Sequence, residues 1–137
     1  MIIVDTTVWV DYIRGIATSH TIWLESHLIN ERLGLTDLIL CEVLQGVTND
    51  DQFKVVQGEL LKLAIFETGT VELAVEAAVN YRKLRAVGRT VRRTIDCLIA
   101  TFCLTEGHAL LHNDRDFDPF EDVFGLKVVH PEKGNGN

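Results

Sequence analysis

Residues 1–15 read MIIVDTTVWVDYIRG, and this stretch decides the fold. The apolar run of residues 2–4 is typical of a short buried strand, and it ends directly at Asp5. A carboxylate beside apolar residues costs free energy unless it is hydrogen-bonded, paired with a charge or bound to a cation. Asp5 therefore either caps the following helix or holds a ligand. We expect Thr6 or Thr7 to be the N-cap of that helix.

Apolar periodicity and turn residues indicate that short strands alternate with helices along the rest of the chain. Further strands are expected at the start of LGLTDLILCEVLQGV and in AIFE, HALLHND and LKVVH. Helices are expected at about residues 19–30, through Glu42, from Asp50 onward, at 71–87, and after Thr94 as an N-cap. This alternation predicts βαβ units and an α/β fold with a central, mainly parallel sheet. In such sheets, ligands bind beyond the carboxyl ends of the strands.

The length and composition indicate one domain. The chain has 137 residues, 47% of them hydrophobic, and we expect a domain over residues 1–131 and a flexible C-terminal tail over 132–137. No apolar run approaches the roughly 20 residues of a membrane span, and no signal peptide is recognisable, so we expect a cytoplasmic location. The three cysteines lack CxxC spacing, which favours buried thiols over a disulfide or a zinc site.

The charged residues are unevenly distributed. A formal net charge of −7 argues against nucleic-acid binding through overall charge. Six of the thirteen basic residues nevertheless lie in a segment without acids, between Glu76 and Asp96. This basic strip is either a solvated helix face or a local anion-binding surface. Its members are Arg82, Lys83, Arg85, Arg89, Arg92 and Arg93.

Acidic residues occur next to apolar segments at four places in the chain. Each has a structural explanation when taken alone, such as a helix cap, a turn or a surface position. If all four lie in one crevice, their mutual repulsion requires compensation, and carboxylate oxygens select Mg²⁺ or Mn²⁺. Two such ions about 4 Å apart can activate a water and stabilise the leaving oxygen of a phosphodiester. The acids are Asp5, Glu42, Asp96 and the pair Asp114 and Asp116.

Other acid-rich motifs do not match the spacing. An EF-hand loop beginning at Asp114 would have Pro119 where glycine is needed and Gly125 where a bidentate glutamate is needed. A phosphatase with an aspartyl nucleophile would need a second aspartate where Thr7 stands. The sequence also contains no phosphate-binding GxxxxGK[ST] loop and no GxSxG nucleophile elbow.

Four segments in this order, VDTTVWVDYIRG, LCEVLQG, TIDCLIA and LLHNDRDF, resemble the PIN-domain family. The resemblance is specifically to the VapC-type ribonuclease toxins of bacterial toxin–antitoxin pairs, and it covers nearly the whole chain. It implies a PIN-like three-layer α/β/α fold with a central, mainly parallel sheet. It also implies metal-dependent endoribonuclease activity with Mg²⁺ or Mn²⁺ as the cofactor.

The resemblance assigns roles to individual residues. The expected catalytic and metal-binding residues are Asp5, Glu42, Asp96, Asp114 and Asp116, and either of the last two could be the direct ligand. Thr6 and Asn113 are expected to be supporting polar residues at the site. Arg89, Arg92 and Arg93 are expected to bind RNA phosphates beside the acidic pocket.

The resemblance also implies partners. A VapB-type antitoxin would block the site, the substrate would be RNA, with tRNA and rRNA as candidates, and the toxin would form a homodimer within the complex. An alternative from a different class is a noncatalytic module that uses the same fold to bind RNA or a protein. Binding of divalent cations separates the two hypotheses.

Overall fold

The computed structural model describes residues 1–131, and the expected tail at 132–137 lies outside the described residues. The four strands are β1 (Ile2–Val4), β2 (Leu33–Thr36), β3 (Ala64–Phe66) and β4 (Ala109–Leu111). The helices are α1 (Thr6–Ile13), α2 (Ser19–His27), α3 (Asp37–Gln45), α4 (Asp50–Leu60), α5 (Val71–Ala86), α6 (Thr94–Glu106) and α7 (Asp118–Phe124). A 3₁₀ turn at Arg115–Phe117 precedes α7.

The strands form one sheet in the order β3-β2-β1-β4, and every pair is parallel. β2 lies next to β1, and β3 lies next to β2 at one edge of the sheet. The chain then returns across the sheet, and β4 pairs with the other side of β1. A reversal of this kind opens a crevice at the carboxyl ends of the two strands concerned. Asp5 directly follows β1 and Asp114 follows β4 by three residues, so both lie at this reversal.

The helices pack in two groups, which confirms the predicted three-layer α/β/α architecture with a parallel sheet. In one group α1 contacts α2 and α3, and α3 contacts α4, whereas in the other α5 packs along α6. Between them the sheet residues Ile3, Val4, Leu35 and Leu110 are fully buried. Burial of these apolar side chains is the main stabilising contribution to the fold.

Two predicted helix caps are wrong. The N-cap of α1 is Asp5, because its side chain accepts a hydrogen bond from the Thr7 amide, and Thr6 is already helical. The N-cap of α6 is Arg93, which makes no side-chain capping bond, and Thr94 is the first helical residue. Asp5 is therefore a helix cap and at the same time a candidate ligand, and the two roles are not alternatives.

The predicted last strand LKVVH is also wrong in extent. Val128 forms a single parallel bridge with Leu110, flanked by hydrogen bonds from Leu110 to Lys127 and from Val129 to Leu110. Pro131 lacks an amide donor and follows closely, so the pairing cannot extend.

The expectation of buried thiols holds for Cys97 and Cys103, whereas Cys41 is exposed. All three cysteines are free, as expected. Within residues 1–131, no helix is both long and apolar enough to cross a membrane.

Gly34 of β2 is a position where the packing excludes a side chain. A Cβ atom there would lie 2.8 Å from the Ala64 carbonyl oxygen and 2.9 Å from the Met1 sulfur. We predict that Gly34→Ala lowers the free energy of unfolding by about 1–3 kcal/mol, measured by urea denaturation, because the sheet must move apart.

Gly58 in α4 is the matched control, because a Cβ atom there would meet nothing within 4 Å. Gly58→Ala should raise the free energy of unfolding by about 0.5–1 kcal/mol, since alanine favours the helix. Equal effects of the two substitutions would contradict this description of the sheet.

Candidate active site

Three carboxylates from different elements converge at the sheet reversal. Asp96 in the first turn of α6, Asp114 after β4 and Asp116 in the 3₁₀ turn each offer an oxygen, and these oxygens all lie within 4.8 Å of one another. The local turn aligns two of them, since Asp114 Oδ1 accepts a hydrogen bond of 2.9 Å from the Asp116 amide. This acid triad is the centre of the site.

Arg93 connects the acid triad to Glu42 of α3. Its Nη2 lies 3.1 Å from Asp96 Oδ1 and 3.2 Å from Glu42 Oε2, and its Nε lies 3.3 Å from Asp96 Oδ2. The Thr6 hydroxyl donates a hydrogen bond of 2.6 Å to Glu42 Oε1. The Glu42 carboxylate is thus fixed from two sides and faces the same guanidinium group as Asp96.

Asp5 approaches the same crevice from the end of β1. Its Oδ2 accepts hydrogen bonds from the Thr7 amide at 3.2 Å and from the Thr7 hydroxyl at 2.8 Å. The Thr7 oxygen in turn accepts one of 3.1 Å from the Asn113 amide, so a single threonine links the ends of β1 and β4. Asp5 is also near enough to Asp96 for the negative charge of Asp96 to raise the pKa of Asp5.

Burial and mutual repulsion shift the pKa values of the acids. Asp5 and Asp96 are only 2% and 1% exposed. Burial raises the pKa of Asp5 from 3.8 to about 7, even though the Thr7 hydrogen bonds oppose the shift. Burial also raises the pKa of Asp96, although its hydrogen bond to Arg93 counteracts the effect. Site carboxylates with raised pKa values are typical of functional sites.

The three arginines expected to bind RNA all pair with carboxylates in this structure. Arg93 pairs with Asp96 and Glu42, as described above, and Arg92 pairs with Asp116 at 3.2 Å. Arg89 pairs instead with Asp122 of α7 at 3.0 Å, outside the acid triad. Within the basic strip, Arg92 and Arg93 therefore partly neutralise the site.

Sequence reasoning missed two residues that organise the site. Thr7 was expected only as a possible helix cap. Its position two residues after Asp5 is the sequence feature that could have indicated a hydrogen bond between the two side chains. His112 is buried, and its Nδ1 accepts a hydrogen bond of 3.1 Å from the Asp114 amide. Burial lowers the pKa of His112, which favours the neutral ring that this hydrogen bond requires. Asn113, expected to be a supporting polar residue, donates a hydrogen bond from its backbone amide to the Thr7 hydroxyl oxygen.

The donor set fits a divalent cation. The acid triad offers three carboxylate oxygens in close proximity, and such hard ligands suit Mg²⁺ or Mn²⁺. Within residues 1–131, it is the one group of three or more acidic, histidine or cysteine side chains close enough together to hold a metal ion. Asp5 and Glu42 border it and add negative charge.

Comparisons with known proteins give a consistent picture. The PIN domain family model matches residues 2–122. A VapC ribonuclease from Mycobacterium bovis and ribonuclease VapC11 from Mycobacterium tuberculosis are each 30% identical over 131 residues, covering 94% of this chain and 98% of the relative. A crystal structure of VapBC2 from Rickettsia felis bound to a fragment of its promoter DNA has a similar fold, with a TM-score of 0.74 and 20% sequence identity. The match covers 94% of this chain and 98% of that chain.

The raised pKa of Asp5 generates a prediction for the metal-free protein. The unfolded chain ionises Asp5 near pH 4, whereas the folded chain ionises it near pH 7. Between these values the folded state binds more protons, so this residue destabilises the fold as the pH rises. An asparagine at position 5 can still accept the capping hydrogen bond from the Thr7 amide, and its side chain cannot ionise. Asp5→Asn should therefore stabilise the protein at about pH 8, by up to about 4 kcal/mol, and much less at about pH 4.5.

The measurement is urea unfolding in EDTA at both pH values. Asp122→Asn is the control, because Asp122 is exposed and lies outside the site. A gain for Asp5→Asn that is independent of pH, or larger in acid, would contradict the buried-carboxyl account.

Proposed function

The chain belongs to the PIN domain family, and we propose that it is an endoribonuclease toxin that hydrolyses RNA with the help of divalent metal ions. The observation that carries the proposal is the convergence of Asp96, Asp114 and Asp116, bordered by Asp5 and Glu42, at the sheet reversal. The curated relatives are VapC ribonucleases, and they match the chain over nearly its whole length. We further propose that residues 1–131 form the nuclease domain and that it acts in the cytoplasm.

The acid triad would hold the cation, with Asp5 and Glu42 completing the negative environment. A bound Mg²⁺ or Mn²⁺ would supply activation of a water molecule and stabilisation of the leaving oxygen of the phosphodiester. Both Asp114 and Asp116 have a place in this arrangement, since the backbone turn that joins them directs them to the same point. The protein needs no nucleophile of its own for this reaction.

Arg93 has a second role in this proposal. Its guanidinium group now bridges Asp96 and Glu42, where it relieves the repulsion between carboxylates. A cation on Asp96 would compete with it, and the Arg93 side chain is 54% exposed, so it is free to turn outward. A displaced Arg93 would lie beside the reacting phosphate and could bind it.

Thr6 and Thr7 act as positioning residues. The Thr6 hydroxyl fixes one oxygen of Glu42, and Thr7 holds one oxygen of Asp5. The Thr6 and Thr7 backbone amides also hydrogen-bond to the Asp5 carboxylate, which fixes it at the end of β1. Positive charge at the site would favour the ionised form of Asp5 by reversing the effect of burial on its pKa.

We propose a VapB-type antitoxin as the partner that keeps the toxin inactive, and a homodimer as the unit it binds. The solved neighbours include a toxin–antitoxin complex from Klebsiella pneumoniae and VapBC-5 from Mycobacterium tuberculosis, a member of the VapBC family of toxin–antitoxin systems. A basic antitoxin side chain that reaches the acid triad would act as Arg93 does here. RNA is the proposed substrate because the curated relatives are ribonucleases.

The decisive variant is Asp96→Asn. We predict that it lowers the rate of Mg²⁺- or Mn²⁺-dependent RNA cleavage by about 100-fold or more, because an amide binds these cations poorly, and that it abolishes growth inhibition. Thermal stability should be kept or raised, since the substitution removes a repelling buried charge. Cleavage is followed with a fluorescently labelled RNA, and folding is followed by circular dichroism.

Asp122→Asn is the control and should cleave RNA like the wild type. Wild-type rates for Asp96→Asn would contradict the proposed mechanism, and its failure to fold would assign Asp96 a structural role. Calorimetric titration addresses the alternative of a noncatalytic binding module. The absence of divalent-cation binding to the wild type at millimolar concentration would favour that module.

A further inference from the structure

A groove of about 450 Å³ runs between α5 and the segment that leads into α6. Its floor is formed by small and apolar side chains, among them Ala77, Cys97 and Leu98. Its walls carry Tyr81, Arg82, Arg85 and Arg92, and we call this surface the α5 groove. Its volume lies in the range of ligand-binding clefts.

The α5 groove is positively charged in an acidic protein. Three arginines line it and no acidic residue does, although the chain carries a net charge of −7. Arg82 and Arg85 pair with no carboxylate within residues 1–131, in contrast to the three arginines nearer the acid triad. Arginines without acidic partners are the residues that bind phosphate groups.

An exposed aromatic ring lies between these charges. Tyr81 is 37% exposed, and the Arg85 guanidinium carbon lies 5.6 Å from the centre of its ring. An exposed ring held by a neighbouring arginine offers a face for base stacking in single-stranded nucleic acid. A basic groove with an aromatic platform is the general design of such binding sites.

The groove leads directly to the candidate active site. Arg92 lines the groove and also reaches Asp116 of the acid triad at 3.2 Å. Thr94 lines it as well, two residues before Asp96 in the first turn of α6. The groove and the acid triad therefore share Arg92 and adjoin each other at the start of α6.

We infer that the α5 groove binds the single-stranded RNA segment next to the cleaved phosphate, with Tyr81 stacking on a base and Arg82 and Arg85 binding phosphates. The inference rests on the proposed ribonuclease function and extends it to the substrate. It places the RNA along α5, away from Arg89, whose partner is Asp122. The preferred substrate is then an unpaired loop or strand, because a base in a duplex cannot stack on Tyr81.

The test uses the full chain and a fluorescein-labelled 12-nucleotide polyuridine, with binding measured by anisotropy in EDTA so that the RNA stays intact. Tyr81→Ala should weaken binding about tenfold, whereas Tyr81→Phe should bind like the wild type because it keeps the ring. The double variant Arg82→Ala, Arg85→Ala should lower the slope of log affinity against log salt by about 1.4, the value for two lost phosphate contacts.

Lys83→Ala is the matched control, because Lys83 is an exposed cation on the same helix that does not line the groove. All these positions are at the surface, and circular dichroism verifies folding. Unchanged RNA affinity of the groove variants, in a protein whose wild type cleaves the same RNA with Mn²⁺, would overturn this inference and leave the proposed function standing. The inference would also be overturned if the groove variants kept their RNA affinity but no longer bound an antitoxin or a second copy of this chain. A wild type that neither binds nor cleaves RNA would overturn both.

Discussion

Electrostatic repulsion among carboxylates at one end of a parallel sheet is the constraint on which the organisation of this protein depends. The strand order β3-β2-β1-β4 brings Asp5 and Asp114 to the same crevice, and α6 adds Asp96. Such a cluster is unfavourable unless positive charge compensates it. Arg93 supplies part of this compensation. The pKa of Asp5 is raised mainly by burial, and the negative charge of Asp96 adds to the shift.

Much of the fold could be predicted from the sequence. The apolar run of residues 2–4 and the glycines that follow the helices define the strand–helix alternation, and the alternation requires a parallel sheet. The carboxyl ends of adjacent parallel strands meet, so the convergence of Asp5 and Asp114 follows from the topology. The wrong expectations concern interactions at the level of single atoms. Asp5 replaces Thr6 as a cap because its oxygen reaches the Thr7 amide, and spacing alone cannot distinguish these choices.

The role of Arg93 also lies beyond what a sequence pattern can reveal. Its position before Asp96 predicts a phosphate ligand, and the structure adds that its guanidinium group pairs with two site carboxylates. The direction of a long side chain depends on the charges that surround it in three dimensions. Thr7 escaped notice for the same reason, because its hydroxyl joins Asp5 to a loop that is 106 residues away in the sequence.

The charges of this chain are divided between two surfaces that meet at the site. Acidic groups form the candidate cation site, and arginines without acidic partners line the neighbouring α5 groove. An acidic protein can in this way attract RNA locally, because screening confines the influence of distant charges to about 10 Å.

The most direct test of the cation site is a crystal structure of the protein with Mn²⁺, with data collected at the manganese absorption edge. The account predicts an anomalous peak bounded by Asp96, Asp114 and Asp116, with the Arg93 guanidinium turned away from Asp96. A map without a peak among these residues, in which Arg93 still bridges Asp96 and Glu42, would contradict it.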